Sequence, residues 1–136
     1  EVKKYPDREL NHYIEFNSDQ LDQTAKQYGV SREDMLKQYD LDDEDEFNAV
    51  NEDSSKLRVK QEMLIQYIAD KENLSYTDKE KEALIKSFEA QGYDADAIEQ
   101  QTGRTLEDYV HIELLYEKVL DFLLDNANIT GAPTTE

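Results

Sequence analysis

Apolar residues recur along the chain at steps of three and four, the spacing that places side chains on one face of an α-helix. The first stripe begins behind Pro6, because a proline fits the first turn of a helix, and it stops at Gly29. Its members are Leu10, Ile14, Asn17, Leu21, Ala25 and Tyr28. This pattern predicts a first helix that ends at Gly29, where glycine suits a left-handed helix end.

Two further helices are predicted before the middle of the chain. Ser31 with Asp34 three residues later resembles a capping box and opens a short helix, which precedes a turn over residues 40–43. A long stripe then runs from about Glu44 to about Glu72 and predicts a central helix. Its members are Phe47, Val50, Ser54, Leu57, Gln61, Leu64 and Ile68.

The second half of the chain carries three more helix starts. Thr77 with Glu80 matches the full capping-box pattern, Asp94 can cap a short helix, and Thr105 with Asp108 opens the last one, which we expect to end near Asn126. Apolar residues cover most of the circumference of this last helix, so we expect other helices to enclose it. They are Tyr109, Ile112, Leu115, Tyr116, Val119, Leu120, Phe122, Leu123 and Leu124.

These patterns together predict an all-α fold. The only prolines are Pro6 and Pro133, so no proline interrupts the helices between them. The long helix over residues 57–68 and the last helix carry the widest apolar arcs, and we expect them to pack together with Leu64 and Leu120 in the contact. The 136 residues fit one domain, for which we predict residues 1–130, followed by a mobile tail over residues 131–136.

Charge excludes several classes of partner. Fifteen Lys and Arg against 33 Asp and Glu give a formal net charge of −18, which repels the phosphates of nucleic acids and anionic lipid surfaces. No run of about 18 apolar residues is present to span a bilayer. The chain has no cysteine, which removes disulfides and thiolate chemistry.

No motif for catalysis, cofactors or metals emerges from the spacing of the polar residues. The acidic run over residues 40–46 fails as a calcium loop, because Asp45 stands where a glycine is needed and Asn51 replaces the bidentate glutamate. We interpret the run as the N-terminus of a helix, where the dipole favours acids. His111 and Glu113 fall on different sides of a helix, and His12 is remote, so no zinc face forms. We therefore predict no catalytic residue, no metal and no cofactor.

Aromatic residues are the remaining candidates for function. Nine tyrosines and four phenylalanines stand in a strongly polar chain, and Tyr13 and Phe16 lie off the stripe of the first helix. They either pack against another helix or form an exposed contact surface for varied partners. Under the second interpretation, the candidate polypeptide-binding residues are Tyr13, Phe16, Tyr28, Met35 and Tyr39.

The order of these segments resembles the C-terminal domain of bacterial trigger factor, in its clostridial versions. The resemblance covers nearly the whole chain, from about Tyr5 to Ile129, and the most specific part is the pattern over residues 69–80. No catalytic signature accompanies it. The segments that carry it are residues 5–10, 27–29, 46–47, 57–69, 71–80 and 118–127.

The resemblance implies a helical body with protruding arm-like hairpins, related to SurA-type chaperones. Residues before about Ser54 would form the first arm and residues 77–104 the second. The implied function is that of a non-enzymatic chaperone, which binds unfolded or nascent polypeptide without nucleotide and assists folding or export. The resemblance is also compatible with a homodimer.

Two matters stay open at this point. Ribosome contact and prolyl isomerase activity would require domains upstream, because these residues contain neither, and the implied location is the cytoplasm, with an exported lipoprotein as the alternative. The competing function is a helical scaffold that binds one folded partner. A scaffold should present one compact apolar patch, whereas a chaperone should expose a diffuse apolar lining.

Overall fold

A computed structural model of the chain describes residues 3–130, with side chains through residue 127. Within these residues the chain forms six α-helices and no strand, which confirms the all-α prediction. The predicted tail over residues 131–136 lies outside the described residues. The helices are α1 (Asp7–Tyr28), α2 (Arg32–Gln38), α3 (Glu44–Lys71), α4 (Asp78–Ala90), α5 (Ala95–Thr102) and α6 (Leu106–Thr130).

Local hydrogen bonds set the helix starts that the sequence predicted. The Ser31 hydroxyl accepts a bond from the backbone N–H of Asp34 at 3.1 Å. At α4 the box is reciprocal, because Thr77 Oγ1 accepts from the Glu80 N–H at 3.2 Å while Glu80 Oε2 accepts from the Thr77 N–H at 2.8 Å. Each bond satisfies a backbone donor that has no partner inside its helix. Helix α1 ends at Gly29 with φ of 68°, in the left-handed region that glycine tolerates.

The acidic run serves the start of α3, as interpreted from the sequence. Asp43 Oδ1 accepts a bond from the backbone N–H of Glu46 at 2.9 Å, and the Glu46 carboxylate accepts from the N–H of Asp42 at 2.7 Å. Asp40 adopts a φ of 57°, which turns the chain between α2 and α3. The carboxylates therefore accept hydrogen bonds from backbone N–H groups at the helix start. Their negative charge also interacts favourably with the positive end of the helix dipole.

The chain divides into two compact units, Glu1–Gln61 (unit 1) and Glu62–Glu136 (unit 2), with the boundary inside α3. The assignment of residues 1–130 to a single domain stays a prediction. In unit 1 the core joins α1 to α2 through side chains that are at least nine-tenths buried, and Val30, Leu41 and Phe47 pack against it. The buried members are Leu21, Ala25, Met35 and Leu36.

Unit 2 is built around α6. Leu115 and Val119 of α6 are buried with Ala69 of α3, and Ile65, Ile68, Leu74 and Tyr76 pack against them. This cluster confirms that the C-terminal half of the long helix packs against the last helix. Helices α4 and α5 also contact α6.

The particular core residues expected in this contact are wrong. Leu64 is 54% exposed, and Leu57 and Leu120 are exposed as well. On the side of α3 that faces the core of unit 2, Ala69 is buried and Glu62, Ile65 and Ile68 are half-buried, so this side includes a charged residue and a small one. Apolar periodicity alone does not select such a face, because it favours the larger Leu57 and Leu64.

Helix α6 is also not enclosed as expected. Tyr116, Leu123 and Leu124 are exposed, because α3, α4 and α5 cover only part of its circumference.

Polar contacts complete unit 2. Arg104 and Glu62 form an ion pair with side chains that are only 9% and 20% exposed. The His111 ring is held at both nitrogens, 2.7 Å from the Tyr76 hydroxyl and 3.1 Å from Gln66 Oε1. An amide oxygen can only accept, so Nε2 donates to Gln66, and in the neutral ring Nδ1 accepts from the tyrosine hydroxyl.

Glu80 joins α4 to α6 by an ion pair with Lys118. The Lys118 ammonium and the hydrogen bonds from Thr77 lower the pKa of Glu80 from 4.5 to about 2. Because the folded-state pKa is depressed, this carboxylate stabilises the fold above pH 4.5, and that contribution is lost as the pH falls toward 2.

We predict that Leu115→Ala lowers the free energy of unfolding by about 2–5 kcal/mol, because Leu115 is buried and its truncation leaves a cavity. Leu64→Ala removes the same atoms from an exposed position of the same unit and should cost less than about 1 kcal/mol. Urea unfolding of the two variants measures the difference. Equal midpoints for both would contradict the placement of the core.

Candidate polypeptide-binding cleft

Unit 1 contains an open cleft of about 460 Å³, within the size range of small-molecule pockets. Its walls come from α1, from the connection between α2 and α3, and from the first turns of α3. Leu21 is buried, whereas Tyr39 and Val50 are 58% and 53% exposed and so are accessible to a partner. The lining residues are Asn17, Gln20, Leu21, Thr24, Tyr39, Leu41, Phe47, Val50, Asn51 and Ser54.

The lining combines apolar side chains with amides and hydroxyls, and none of its residues is charged. Apolar side chains of a partner would contact residues such as Leu41, Phe47 and Val50. Amides such as Gln20 offer both donors and acceptors to the partner's backbone. The lining offers neither an acid–base pair nor a nucleophile beside a base, so this chemistry suits binding rather than catalysis.

A polar contact between α1 and α3 lies at the edge of the cleft. Asn17 Nδ2 donates to Asn51 Oδ1 at 2.8 Å, and Asn51 Nδ2 donates to the backbone oxygen of Ile14 at 2.9 Å. Ser55 donates to Asn51 Oδ1 at 3.3 Å, and both Asn51 and Ser55 are buried. Because a buried amide is costly without its partners, these bonds select one register of α3 on α1 and thereby fix two walls of the cleft.

Arg32, the first residue of α2, connects all three helices of unit 1. Its Nε and one terminal nitrogen donate to the two carboxylate oxygens of Glu44 at 2.6 and 3.1 Å. The other terminal nitrogen donates to Asp22 at 2.9 Å and to the backbone oxygen of Ser18 at 3.1 Å. The Ser18 hydroxyl accepts the remaining bond at 3.1 Å. All five N–H groups of the guanidinium are therefore engaged.

The same guanidinium positions a wall of the cleft. It lies 5.0 Å from the ring centroid of Phe47, a lining residue, in a cation–π contact. The hydrogen bond to Glu44 is the largest cause that raises the pKa of Arg32, and the bond to Asp22 raises it further. Partial burial opposes this shift. The fixed fork of Arg32 thus holds Phe47 and the start of α3 in place.

The five candidate residues from the sequence fall into different environments. Tyr13 and Met35 are buried and do not form an exposed surface, so that expectation is wrong for them. Met35 fills the core between α1 and α2, and the ring of Tyr13 is covered by the Arg58 guanidinium 4.0 Å from its centroid. Phe16 is half-buried, and Tyr28 is exposed away from the cleft lining.

Tyr39 alone of the five lines the cleft, and its binding role stays a prediction. Sequence reasoning missed Asn17, Leu41, Phe47 and Val50 as site residues. Three of them stood in the helical stripes, but a stripe does not distinguish a core position from the wall of a cleft.

Among the residues that the structure describes, no group of three or more His, Asp or Glu side chains is arranged to hold a metal ion. None of the helices in that part of the chain is both long and apolar enough to cross a bilayer.

Within the described residues the fold is that of an all-helical module. The family model for the C-terminus of bacterial trigger factor matches residues 2–125, so the chain belongs to this family of non-catalytic chaperone modules. A trigger factor of Bacillus mycoides is 29% identical over 122 residues, and one of Bacillus licheniformis is 31% identical over 108 residues. These alignments cover 89% and 79% of this chain but 27% and 25% of the relatives. No solved structure gives a significant match.

We predict that Arg32→Ala lowers the free energy of unfolding by about 1–2 kcal/mol, a value discounted because Asp22 and Glu44 are about half exposed. Arg32→Lys should restore less than half of the loss, because an ammonium cannot bridge both acids and Ser18 in one plane. Lys37→Ala serves as the control, since Lys37 forms an exposed pair with Glu33 within α2. If urea unfolding shows the same loss in the free energy of unfolding for Lys37→Ala as for Arg32→Ala, this role of Arg32 is contradicted.

Proposed function

We propose that the chain is a molecular chaperone module that binds unfolded or nascent polypeptide without nucleotide, and that the cleft of unit 1 is its contact site. The observation that carries this proposal is an open cleft with accessible apolar side chains at Tyr39 and Val50, in a member of the trigger factor C-terminal family. Such a cleft receives apolar side chains that an unfolded chain exposes and a folded chain buries.

The size of the cleft favours weak, exchangeable binding. Burial of one large apolar side chain stabilises a complex by about 1.5–3 kcal/mol, and ordering a flexible chain opposes this gain. A micromolar Kd corresponds to about 8 kcal/mol, so a client must bury several such side chains in the cleft, and about micromolar is the tightest affinity we expect. Release then requires no nucleotide, because thermal dissociation at that affinity is fast.

The distribution of exposed apolar side chains supports a chaperone over a scaffold. Unit 1 exposes Tyr28 as well as the cleft residues, and unit 2 exposes Met63, Leu64 and Tyr67 on α3. A scaffold for one folded partner needs a single compact patch, whereas each unit by itself exposes apolar side chains at more than one place, and in unit 2 these places include α6.

The partners and the location follow from the same family. The chain spans about a quarter of the length of the curated relatives it matches, and we assign it neither ribosome contact nor prolyl isomerase activity. We place the module in the cytoplasm with its relatives, and the exported-lipoprotein alternative finds no support among them. The net charge of −18 disfavours nucleic acid as a partner and favours client segments that carry Lys or Arg.

Light scattering of a denatured client diluted into buffer with the chain tests this function. We expect the wild type to suppress aggregation at several-fold excess and Tyr39→Ser/Val50→Ser to lose most of that protection, because the client loses its apolar contacts. The matched control is Tyr67→Ser/Leu64→Ser, whose side chains are 61% and 54% exposed but belong to unit 2. The control should lose clearly less protection than Tyr39→Ser/Val50→Ser, because its side chains do not line the cleft.

Two results would contradict the proposal in different ways. Absence of protection by the wild type at both low and moderate salt would refute the chaperone function of this chain. Full protection by Tyr39→Ser/Val50→Ser would leave the function standing and remove the cleft as its site.

A further inference from the structure

Helix α6 exposes an apolar stripe that the core of unit 2 does not use. Its members range from 40% exposed at Leu120 to 53% at Leu124, and their spacing of four, three and one places them on one side of the helix. The side chains are Tyr116, Leu120, Leu123 and Leu124. Leu115 and Val119, which face the core, lie beside the stripe, and Val119 is one helical turn before Leu123.

A row of carboxylates runs beside this stripe. Glu113, Glu117, Asp121 and Asp125 follow one another at steps of four, and all four are exposed. Side chains at that spacing are neighbours on a helix, and like charges there repel each other and destabilise the helix. The row therefore weakens α6 when the chain is alone.

One cation of α6 offsets part of this repulsion, because Lys118 attracts Glu117 and Asp121. Lys118 is the only Lys or Arg of α6, and it forms an ion pair with Glu80 of α4. None of the ion pairs recorded for residues 3–127 includes a carboxylate of the row. An acidic row that one lysine offsets only in part, along an exposed apolar stripe, is complementary to a cationic, apolar partner.

A second copy of the chain does not fit this description. A symmetric contact through the stripe would bring two acidic rows together, in a molecule that already has a net charge of −18. A basic amphipathic helix does fit, because its apolar residues recur at the same three- and four-residue spacing as the stripe and its Lys or Arg can flank them.

We propose that the stripe and the acidic row together form a second binding surface, here called the α6 face, which binds basic amphipathic helical segments. The proposal rests on the chaperone function proposed above and adds a site and a class of client segment to it. Apolar contacts with Leu120 and its neighbours supply affinity, and the row selects segments with flanking cations. Binding also removes the repulsion within the row, so the segment stabilises α6.

Fluorescence anisotropy with a labelled synthetic peptide tests the α6 face. The peptide has about 18 residues, with Leu at helical spacing and Lys on both sides of the resulting apolar stripe. A control peptide carries Glu in place of each Lys. We expect the Lys peptide to bind the wild type, less tightly as salt increases, and the Glu peptide not to bind.

The variant Glu113→Gln/Glu117→Gln/Asp121→Asn/Asp125→Asn should weaken binding by about tenfold at low salt, from four exposed charge contacts. It should also raise the melting temperature, because the repulsion within the row is gone, so weak binding would not reflect misfolding. The matched control, Glu72→Gln/Glu82→Gln/Glu89→Gln/Glu99→Gln, makes the same change in charge at four other exposed positions of unit 2. This control should bind within about twofold of wild type.

The apolar half of the surface has its own variant, Leu120→Ser/Leu124→Ser, which should reduce binding at every salt concentration. Equal losses in the row variant and its matched control would show a general charge effect and overturn the inference. A wild type that suppresses aggregation but does not bind the Lys peptide would overturn the α6 face alone. A wild type that does neither would also refute the chaperone function.

Discussion

The guanidinium of Arg32 determines the geometry of unit 1. It begins α2, and its five N–H groups reach Ser18 and Asp22 on α1 and Glu44 at the start of α3. A planar fork with every donor engaged has one orientation, so the middle of α1 and the starts of α2 and α3 are fixed relative to each other. Phe47 lies against the same group, and the walls of the cleft therefore depend on it.

This construction suits a protein that binds without an energy source. A cleft that exists before the client arrives requires little reordering of its own side chains, so the small apolar gain is not lost to entropy. The buried amide contact of Asn17 with Asn51 fixes the remaining wall by hydrogen bonds rather than by further apolar packing. Exposed residues such as Tyr39 and Val50 then stay accessible for clients. Several weak surfaces on one chain also add avidity for an unfolded polypeptide that reaches more than one of them.

Much of the fold was predictable because its signals are local. Ser31, Thr77 and Gly29 act within their own helix ends, and the structure places each cap where the sequence indicated it. The side of α3 that faces the core of unit 2 was not predictable from apolar spacing, because it includes Glu62, paired with Arg104 from a distant segment. The prediction of the site residues failed for the same reason. Arg58 covers the ring of Tyr13, although the two residues are far apart in sequence. The cleft likewise depends on contacts between distant segments, because its lining comes from residues 17–54.

Amide chemical shifts of the ¹⁵N-labelled chain, titrated with a permanently unfolded client, test the central claim most directly. The account predicts progressive, saturable changes at Thr24, Leu41, Phe47 and Val50, which line the cleft, at about micromolar client. Buried positions such as Ala25 should respond less. If the chain becomes saturated with client while the chemical shifts of all four cleft positions stay unchanged, the account is contradicted. The preformed cleft would then not be where the polypeptide binds.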